Sequence, residues 1–475
     1  MLEDLQPKDV LYWFEQINKI PRCSKHEKEI SDYILDFAKE RNLEAKRDEL
    51  FNVIIKKPAT KGLENGPTII LQGHMDMVCV KTENSDHDFS KDPINLKVIN
   101  NWITAENTTL GADNGIAVAY CLALLDSKDI PHSNLEILLT TREELGLEGA
   151  SIVKGEDLNG KYLLNIDGEL EGNLLVGCAG AVTMTSKKKL EFEKAKLKSG
   201  YSLKISGLMG GHSGMQIENF RGNAIKFIPR LFHGIDNIEI SHMESGLKRN
   251  AIPAYAVVKF NSDEESIKEI TNRINTIVFE HRITDQHLTI HIDREDKFES
   301  VWSKSCQKDI LDCLLTVPDG VLYMDPSFKG LVQTSISNDI LRQKDDEISL
   351  VALLRSTVTS SLDEFRYKYE VIVNNHGFEL SDDGGYPVWE YNPDSKLQKI
   401  ATSVYNEMYN EQPNVHTVHC GLECGILKQI LKNTDMISFG PTMHDVHTTK
   451  ERVSIESIGK VWNFTKNLVT TLSKS

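Results

Sequence analysis

Three short apolar runs in this chain each break off into acids or a histidine, and no other feature narrows the fold as much. They are PTIILQGHMDMV, LEILLTTREE and YLLNIDGE, with an apolar helical stretch, LGADNGIAVAYCLALLDS, between the first and second. Continuous apolar strands alternating with helices require a largely parallel sheet covered on both faces. A polar residue just past the C-terminal end of such a strand escapes those faces, and α/β proteins place their chemistry there. Residues 8 to 42 predict two helices, the second holding Ile30, Ile34 and Phe37 at helical spacing.

At 475 residues the chain exceeds one ordinary core. From about residue 180 the texture changes to charged stretches, such as SKKKLEFEKAKLKSG, flanking alternating strand patterns such as YSLKISGL and AYAVVKF. That pattern predicts an α+β domain with solvated sheet faces. Turn residues cluster at 381 to 396, helix-like pattern returns at 395 to 410, and a further strand is expected at Met436 to Phe439. The expected organisation is an α/β domain in two pieces, 1–180 and 387–475, interrupted by an inserted α+β domain at 181–386.

Lys and Arg number 54 against 70 Asp and Glu, a net charge of −16. That balance excludes nucleic acid and anionic membranes as partners, since both need clustered positive charge. The acidic start, MLEDLQPKDV, lacks an apolar signal core, and no run reaches transmembrane length. The eight cysteines (23, 79, 121, 178, 306, 313, 420 and 424) form no CxxC pair, so they are expected to be reduced residues of a cytoplasmic protein.

The residues at the strand ends are His74 and Asp76 in LQGHMDMV, Glu143 and Glu144 in TTREELGLEGA, and Asp167 in NIDGE. Asp113 opens the apolar helix, and His447 follows the last strand. Histidine and carboxylate at loop positions are the raw material of a metal site with nitrogen and oxygen ligands. His74 and Asp76, two apart on an extended segment, share a face, so the acid can orient the imidazole. Singly, each has an ordinary reading: a polar loop for His74 and Asp76, a helix cap for Asp113, a turn before glycine for Asp167, and solvated charge for the glutamates. Their shared placement beyond strands or at a helix start favours a common site.

The motifs LQGHMDMV, LGADNGIAVA, TTREELGLEGA, NIDGE, GGHSG, HCGLECG and the closing histidine resemble those of the dinuclear zinc metallopeptidases that include carnosinase, aminoacylases and glutamate carboxypeptidase. The likeness runs in the same order over nearly the whole length. It implies a zinc-peptidase-like mixed sheet flanked by helices, with an inserted α+β lid, and two Zn²⁺ that Co²⁺ or Mn²⁺ can replace. His74 and Asp167 are then terminal ligands of one ion, Glu144 and His447 of the other, and Asp113 bridges both. Glu143 is the general base, Asp76 steadies the His74 region, and the Asp113–Asn114 peptide is cis. Where the family often has Ser/Thr-Pro-Asp-Glu after its final histidine, this chain has Thr448, Thr449, Lys450 and Glu451. His444 competes with His447, which is favoured because it directly precedes the Thr-x-x-Glu remnant.

From the inserted domain the resemblance implies His212 for the oxyanion and Asn250 for a substrate contact. Arg355, after an apolar strand, either grips a peptide's C-terminal carboxylate or makes an ordinary surface ion pair. Gly421 would let the backbone approach the substrate closely, and Glu423 would meet a dipeptide's free amine. The nearest branch cuts dipeptides, with a preference for C-terminal histidine that includes β-alanyl-histidine. A tripeptide aminopeptidase or N-acyl amino acid hydrolase with the same metals is the enzymatic alternative. An inactive relative serving as a binding protein is the alternative of another class. The expected partner is a small peptide, and a homodimer is one assembly the resemblance allows.

Overall fold

The structure, a computed structural model, describes residues 2–475 and divides into two compact units. The first comprises Met1–Cys178, Trp389–Thr417 and Leu422–Ser475; the second comprises Ala179–Val388 and Val418–Gly421.

The main sheet of the first unit has eight strands, in the order Glu44–Arg47, Val53–Lys57, Leu135–Thr140, Ile69–His74, Tyr162–Asn165, Asp435–Ser438, Asn173–Cys178 and Asn414–Val418. The central pairings are parallel: Ile69–His74 lies between Leu135–Thr140 and Tyr162–Asn165, and Asp435–Ser438 follows Tyr162–Asn165. Every residue of Ile69–His74 and Leu135–Thr140 is buried, which accounts for their mainly apolar character. The helix Ala112–Asp126 is buried almost all round, as an all-apolar helix must be. It packs on Ile69–His74 and on the helix Lys8–Ile17. Its Tyr120 donates to the Ile458 carbonyl at 2.9 Å and stacks on Trp462, both of the closing helix Ile455–Leu472.

The second unit is built on an antiparallel sheet in the order Thr289–Glu295, Ser199–Ser206, Ala256–Ser262, Ile238–Ser245, Val332–Lys344, Glu347–Ser356, Gly180–Lys189 and Glu379–Tyr386, with Gly320–Met324 also paired to Val332–Lys344. Residues of the helices Ala224–Phe232, Glu264–Glu280, Lys304–Thr316 and Thr359–Asn375 share one apolar core with the strands. Val418–Gly421 falls in this unit, whereas the texture of the sequence assigns it to the first. Its attachment is through hydrogen bonds: Ala179 N–H donates to the Val418 carbonyl at 2.9 Å, and the His419 imidazole Nε2 pairs with Ser335 Oγ at 2.7 Å.

The structure corrects the expectation of eight reduced cysteines. Cys23 and Cys79 form a disulfide, their Cα atoms 5.7 Å apart. The bridge between Cys23 and Met77 sets these two segments side by side, although the cysteines lie 56 positions apart in sequence. No described helix is long and apolar enough to cross a membrane.

Candidate metal centre

His74 ends its strand with its side chain 1% exposed. Its Nδ1 lies 3.1 Å from the Asp76 carbonyl and 3.4 Å from Asp76 Oδ1, which leaves Nε2 for the cluster. The Asp76 carboxylate also accepts from the Glu143 N–H at 3.1 Å, the Glu144 N–H at 3.4 Å and Ser24 Oγ at 2.7 Å. One buried acid thus fixes the imidazole and the turn carrying both glutamates.

Asp113 stands in the first turn of its helix, where it and Asn114 depart from helical geometry, and the peptide between them is cis. Asn114 ties this turn to its neighbours: Oδ1 accepts the His74 N–H at 3.2 Å, and Nδ2 donates to the Ile166 carbonyl at 2.8 Å. Gly73 is required beside it, because a Cβ there would lie 2.5 Å from Asn114 Oδ1.

The strand ends and this turn bring the cluster together. His74 Nε2 is 3.1 Å from Asp113 Oδ1 and 3.6 Å from Asp167 Oδ1. His447 Nε2 is 3.0 Å from Asp113 Oδ2 and 2.8 Å from Glu144 Oε1. Asp113 therefore offers one oxygen to each of two groups, His74 with Asp167 and His447 with Glu144. In each group the donor atoms lie within 4.8 Å of one another, as they do in a third group of His74, Glu143 and Glu144. His444 is exposed beside Trp102, ring centres 5.2 Å apart, and is absent from these groups.

The charge distribution suits cations. Burial, then the charges of Asp167, Glu144 and Glu423, push Glu143 well above the ordinary carboxyl range. Burial, then Asp113, Glu423 and Glu169, does the same to Asp167. Burial by itself would lower His74, but hydrogen bonds to Asp113 and Asp76 raise it well above its usual value. Hydrogen bonds to Asp113 and Glu144 raise His447 to about 11. So many buried acids hold both imidazoles as cations, the sign of charge that divalent ions supply. A nitrogen-and-oxygen donor set split into two groups around one shared carboxylate fits a pair of such ions.

Sequence reasoning missed the supports behind the cluster. The Glu451 carboxylate, 2% exposed, accepts four backbone N–H groups: Leu110 at 2.8 Å, Gly111 at 3.0 Å, Ala112 at 2.8 Å and Asp113 at 3.3 Å. It is the last residue of the Thr-x-x-Glu remnant, the one sequence signal that could have pointed to it. Arg22, also 2% exposed, donates to the carbonyls of Gly111 at 2.6 Å and Met75 at 3.2 Å. Burial lowers its pKa to about 10 against the raising charges of Glu451, Asp76 and Asp113. Gly111, at φ +68°, leaves room for this guanidinium, which a Cβ would meet at 2.5 Å.

The open loop expected at Glu423 is instead the start of the helix Glu423–Ile430: the side chain is fully buried, Oε2 accepts from Gln72 Nε2 and from Thr140 Oγ1 at 2.7 Å, and Oε1 makes no hydrogen bond.

Within the second unit, His212, Asn250 and Arg355 are joined through Ser213. Arg355, 3% exposed, donates from Nη1 to Ser213 Oγ at 3.1 Å, while its Nε makes no hydrogen bond. It makes no ion pair among the described residues, which removes the surface-pair reading. His212 Nδ1 accepts the N–H groups of Gly214 at 3.1 Å and Met215 at 3.0 Å, so Nε2 carries the proton. Burial, then the Arg355 charge, lowers His212 to about 4. Gly421 lies against the Tyr386 ring, whose edge a Cβ would meet at 2.5 Å.

The profile of peptidase family M20/M25/M40 matches residues 70–471. Cytosol non-specific dipeptidase of Escherichia coli K12 is 33% identical over 478 residues, 98% of each chain. A solved structure of aminoacylhistidine dipeptidase from Vibrio alginolyticus superposes with a TM-score of 0.92 at 34% identity, covering 99% of this chain and 98% of that one. An aminopeptidase from Bacillus cereus, at 15% identity and a TM-score of 0.57 over 98% of this chain and 99% of its own, shares the fold. The chain belongs to peptidase family M20/M25/M40.

Proposed function

We propose that this chain is a cytoplasmic dipeptidase that hydrolyses short peptides, those ending in histidine and β-alanyl-histidine among them, with two divalent metal ions. The observation that carries the reading is Asp113, whose two oxygens face the His74–Asp167 and His447–Glu144 groups separately. The likeness to a cytosol non-specific dipeptidase of Escherichia coli and an aminoacylhistidine dipeptidase of Vibrio alginolyticus supports the substrate class, and the cytosolic relative supports the compartment.

His74 and Asp167 would hold one ion, Glu144 and His447 the other, with Asp113 shared. Zinc suits this donor set, and cobalt or manganese can replace it. Such a pair of ions acidifies a water and polarises the scissile carbonyl. Glu143, beside His74 and Glu144 yet outside the terminal ligand pairs, takes the proton at its carboxylate and returns it to the departing amine. Burial among acids raises its affinity for that proton. Asp76 keeps the His74 ring and the Glu143 backbone in register. His212 donates from Nε2 to the carbonyl oxygen as it gains charge, and Arg355 with Ser213 takes the peptide's terminal carboxylate. By the family resemblance, Asn250 would contact the substrate and Gly421 would let the backbone approach it closely.

A panel of dipeptides varied at the C-terminal residue, run with and without chelator, tests the reading. Chelator-sensitive cleavage of Xaa-His dipeptides is expected. Cleavage confined to tripeptides or N-acyl amino acids would refute the substrate class, and cleavage that survives full metal removal would refute the mechanism.

A further inference from the structure

We infer that Asp339 is a positioning residue for carboxylate recognition: it fixes the Asn250 turn and, through that turn, the loop bearing His212 and Ser213 on which Arg355 rests. The inference rests on the proposed role of Arg355. Asp339 lies in the strand Val332–Lys344, at the point where its pairing with Glu347–Ser356 slips between Asn338 and Ile340. The slip makes Asp339 the extra residue of a bulge, a device that re-aims a side chain out of the regular ladder.

The carboxylate is 0% exposed, and each of its oxygens has a task. Oδ1 accepts from Ser337 Oγ, and Oδ2 accepts the Asn250 N–H at 2.8 Å. Asn250 sits at φ 61°, a left-handed conformation that needs such a tether. Its carbonyl in turn accepts the Ser213 N–H at 2.8 Å, and Ile252 N–H donates to Gly211 at 2.9 Å, which fastens the GGHSG loop to the same turn. Ser213 Oγ then receives Arg355 Nη1 at 3.1 Å. The chain Asp339, Asn250, Ser213, Arg355 is continuous, and each of its hydrogen bonds lies inside the second unit.

Burying a carboxylate without an ion pair is costly, and it persists where its hydrogen bonds set a geometry that matters. Burial pushes Asp339 up to about 7 even though Ser337, Asn250 and Arg355 all favour its charge. The adjacent packing leaves little slack: Gly246, at φ +74°, approaches the Asp339 carbonyl so closely that a Cβ would lie 1.9 Å from it. Asparagine at 339 can still accept from Asn250 with its oxygen and donate to Ser337 with its amide, so it preserves the tether while removing the charge.

The test compares Asp339→Ala, Asp339→Asn and Arg355→Gln on one dipeptide with a free carboxylate. Asp339→Ala is expected to raise KM about tenfold, the loss of one well-aligned charged hydrogen bond. Asp339→Asn should restore most of the KM. The Asp339→Ala, Arg355→Gln double variant should be no worse than Arg355→Gln alone. If alanine does not fold, Asp339→Ser supplies the same reading, being polar yet too short to reach the Asn250 N–H. A raised KM in Arg355→Gln with an unchanged KM in folded Asp339→Ala or Asp339→Ser would overturn the inference and leave the Arg355 reading intact. An unchanged KM in Arg355→Gln overturns the Arg355 reading and this inference with it.

Discussion

Replacing Glu451 by glutamine should loosen the loop that presents Asp113, although Glu451 itself is assigned no ligand role. In the parent, the two carboxylate oxygens each accept two backbone N–H groups, from Leu110 and Gly111 on one side and from Ala112 and Asp113 on the other. Glutamine keeps one acceptor and turns the other into a donor facing two donors. Each buried N–H that loses its partner costs about 1–3 kcal/mol, and relaxation recovers part of that, so the net loss should be about 3 kcal/mol. The substitution also removes the charge that supports the buried Arg22 cation. The assay is urea unfolding together with competition against a chelator. Exchange protection of the Leu110, Gly111 and Ala112 amides locates the loss, because two units need not unfold together. Loss of such outer support typically weakens metal binding about 10–100-fold. Wild-type unfolding, wild-type exchange and wild-type metal affinity in Glu451→Gln would show that the loop does not depend on Glu451.

Other consequences follow from the same geometry. Gly73→Ala places a Cβ 2.5 Å from Asn114 Oδ1 and 2.6 Å from Ala117 Cβ, so it should destabilise by about 1–3 kcal/mol, measured by denaturant melt. The Cys23–Cys79 disulfide closes a loop of 56-residue separation, worth about 4 kcal/mol by loop entropy. Unfolding with and without reductant should differ in the parent and coincide in Cys23→Ser. His212 takes a proton near pH 6.5 when unfolded and only near 4 when folded. Its stabilising contribution is therefore whole above pH 6.5 and lost as the pH falls through about 4, so His212→Gln should flatten the pH dependence of stability across that window.

The proposed ligand set was legible because each member interrupts a strong local pattern. His74 ends a fully buried strand, Asp167 follows Tyr162–Asn165, Glu143 and Glu144 follow Leu135–Thr140, and Asp113 opens an otherwise apolar helix. A polar residue at such a break is visible one segment at a time. The supports are not, since their meaning lies in pairings across long separations. Arg22 facing Glu451, Glu451 facing Leu110 to Asp113, and Cys23 joined to Cys79 have no local period or motif to announce them. Glu423 was misread for a related reason: its neighbours in HCGLECG suggest an open loop, yet it starts the helix Glu423–Ile430 and turns inward to Gln72 and Thr140. Asp339 sits in a strand of ordinary polar alternation, and only the bulge shows what it holds.

In the proposed mechanism the two neighbouring glutamates have different tasks, and one paired measurement separates them. Metal content and dipeptide turnover are determined for Glu143→Gln and Glu144→Gln after loading with zinc. Two bound ions and a rate lowered by about a thousandfold or more are expected in Glu143→Gln, against weakened binding of the His447-side ion in Glu144→Gln. Turnover near the parent rate in metal-loaded Glu143→Gln would contradict the proposed mechanism.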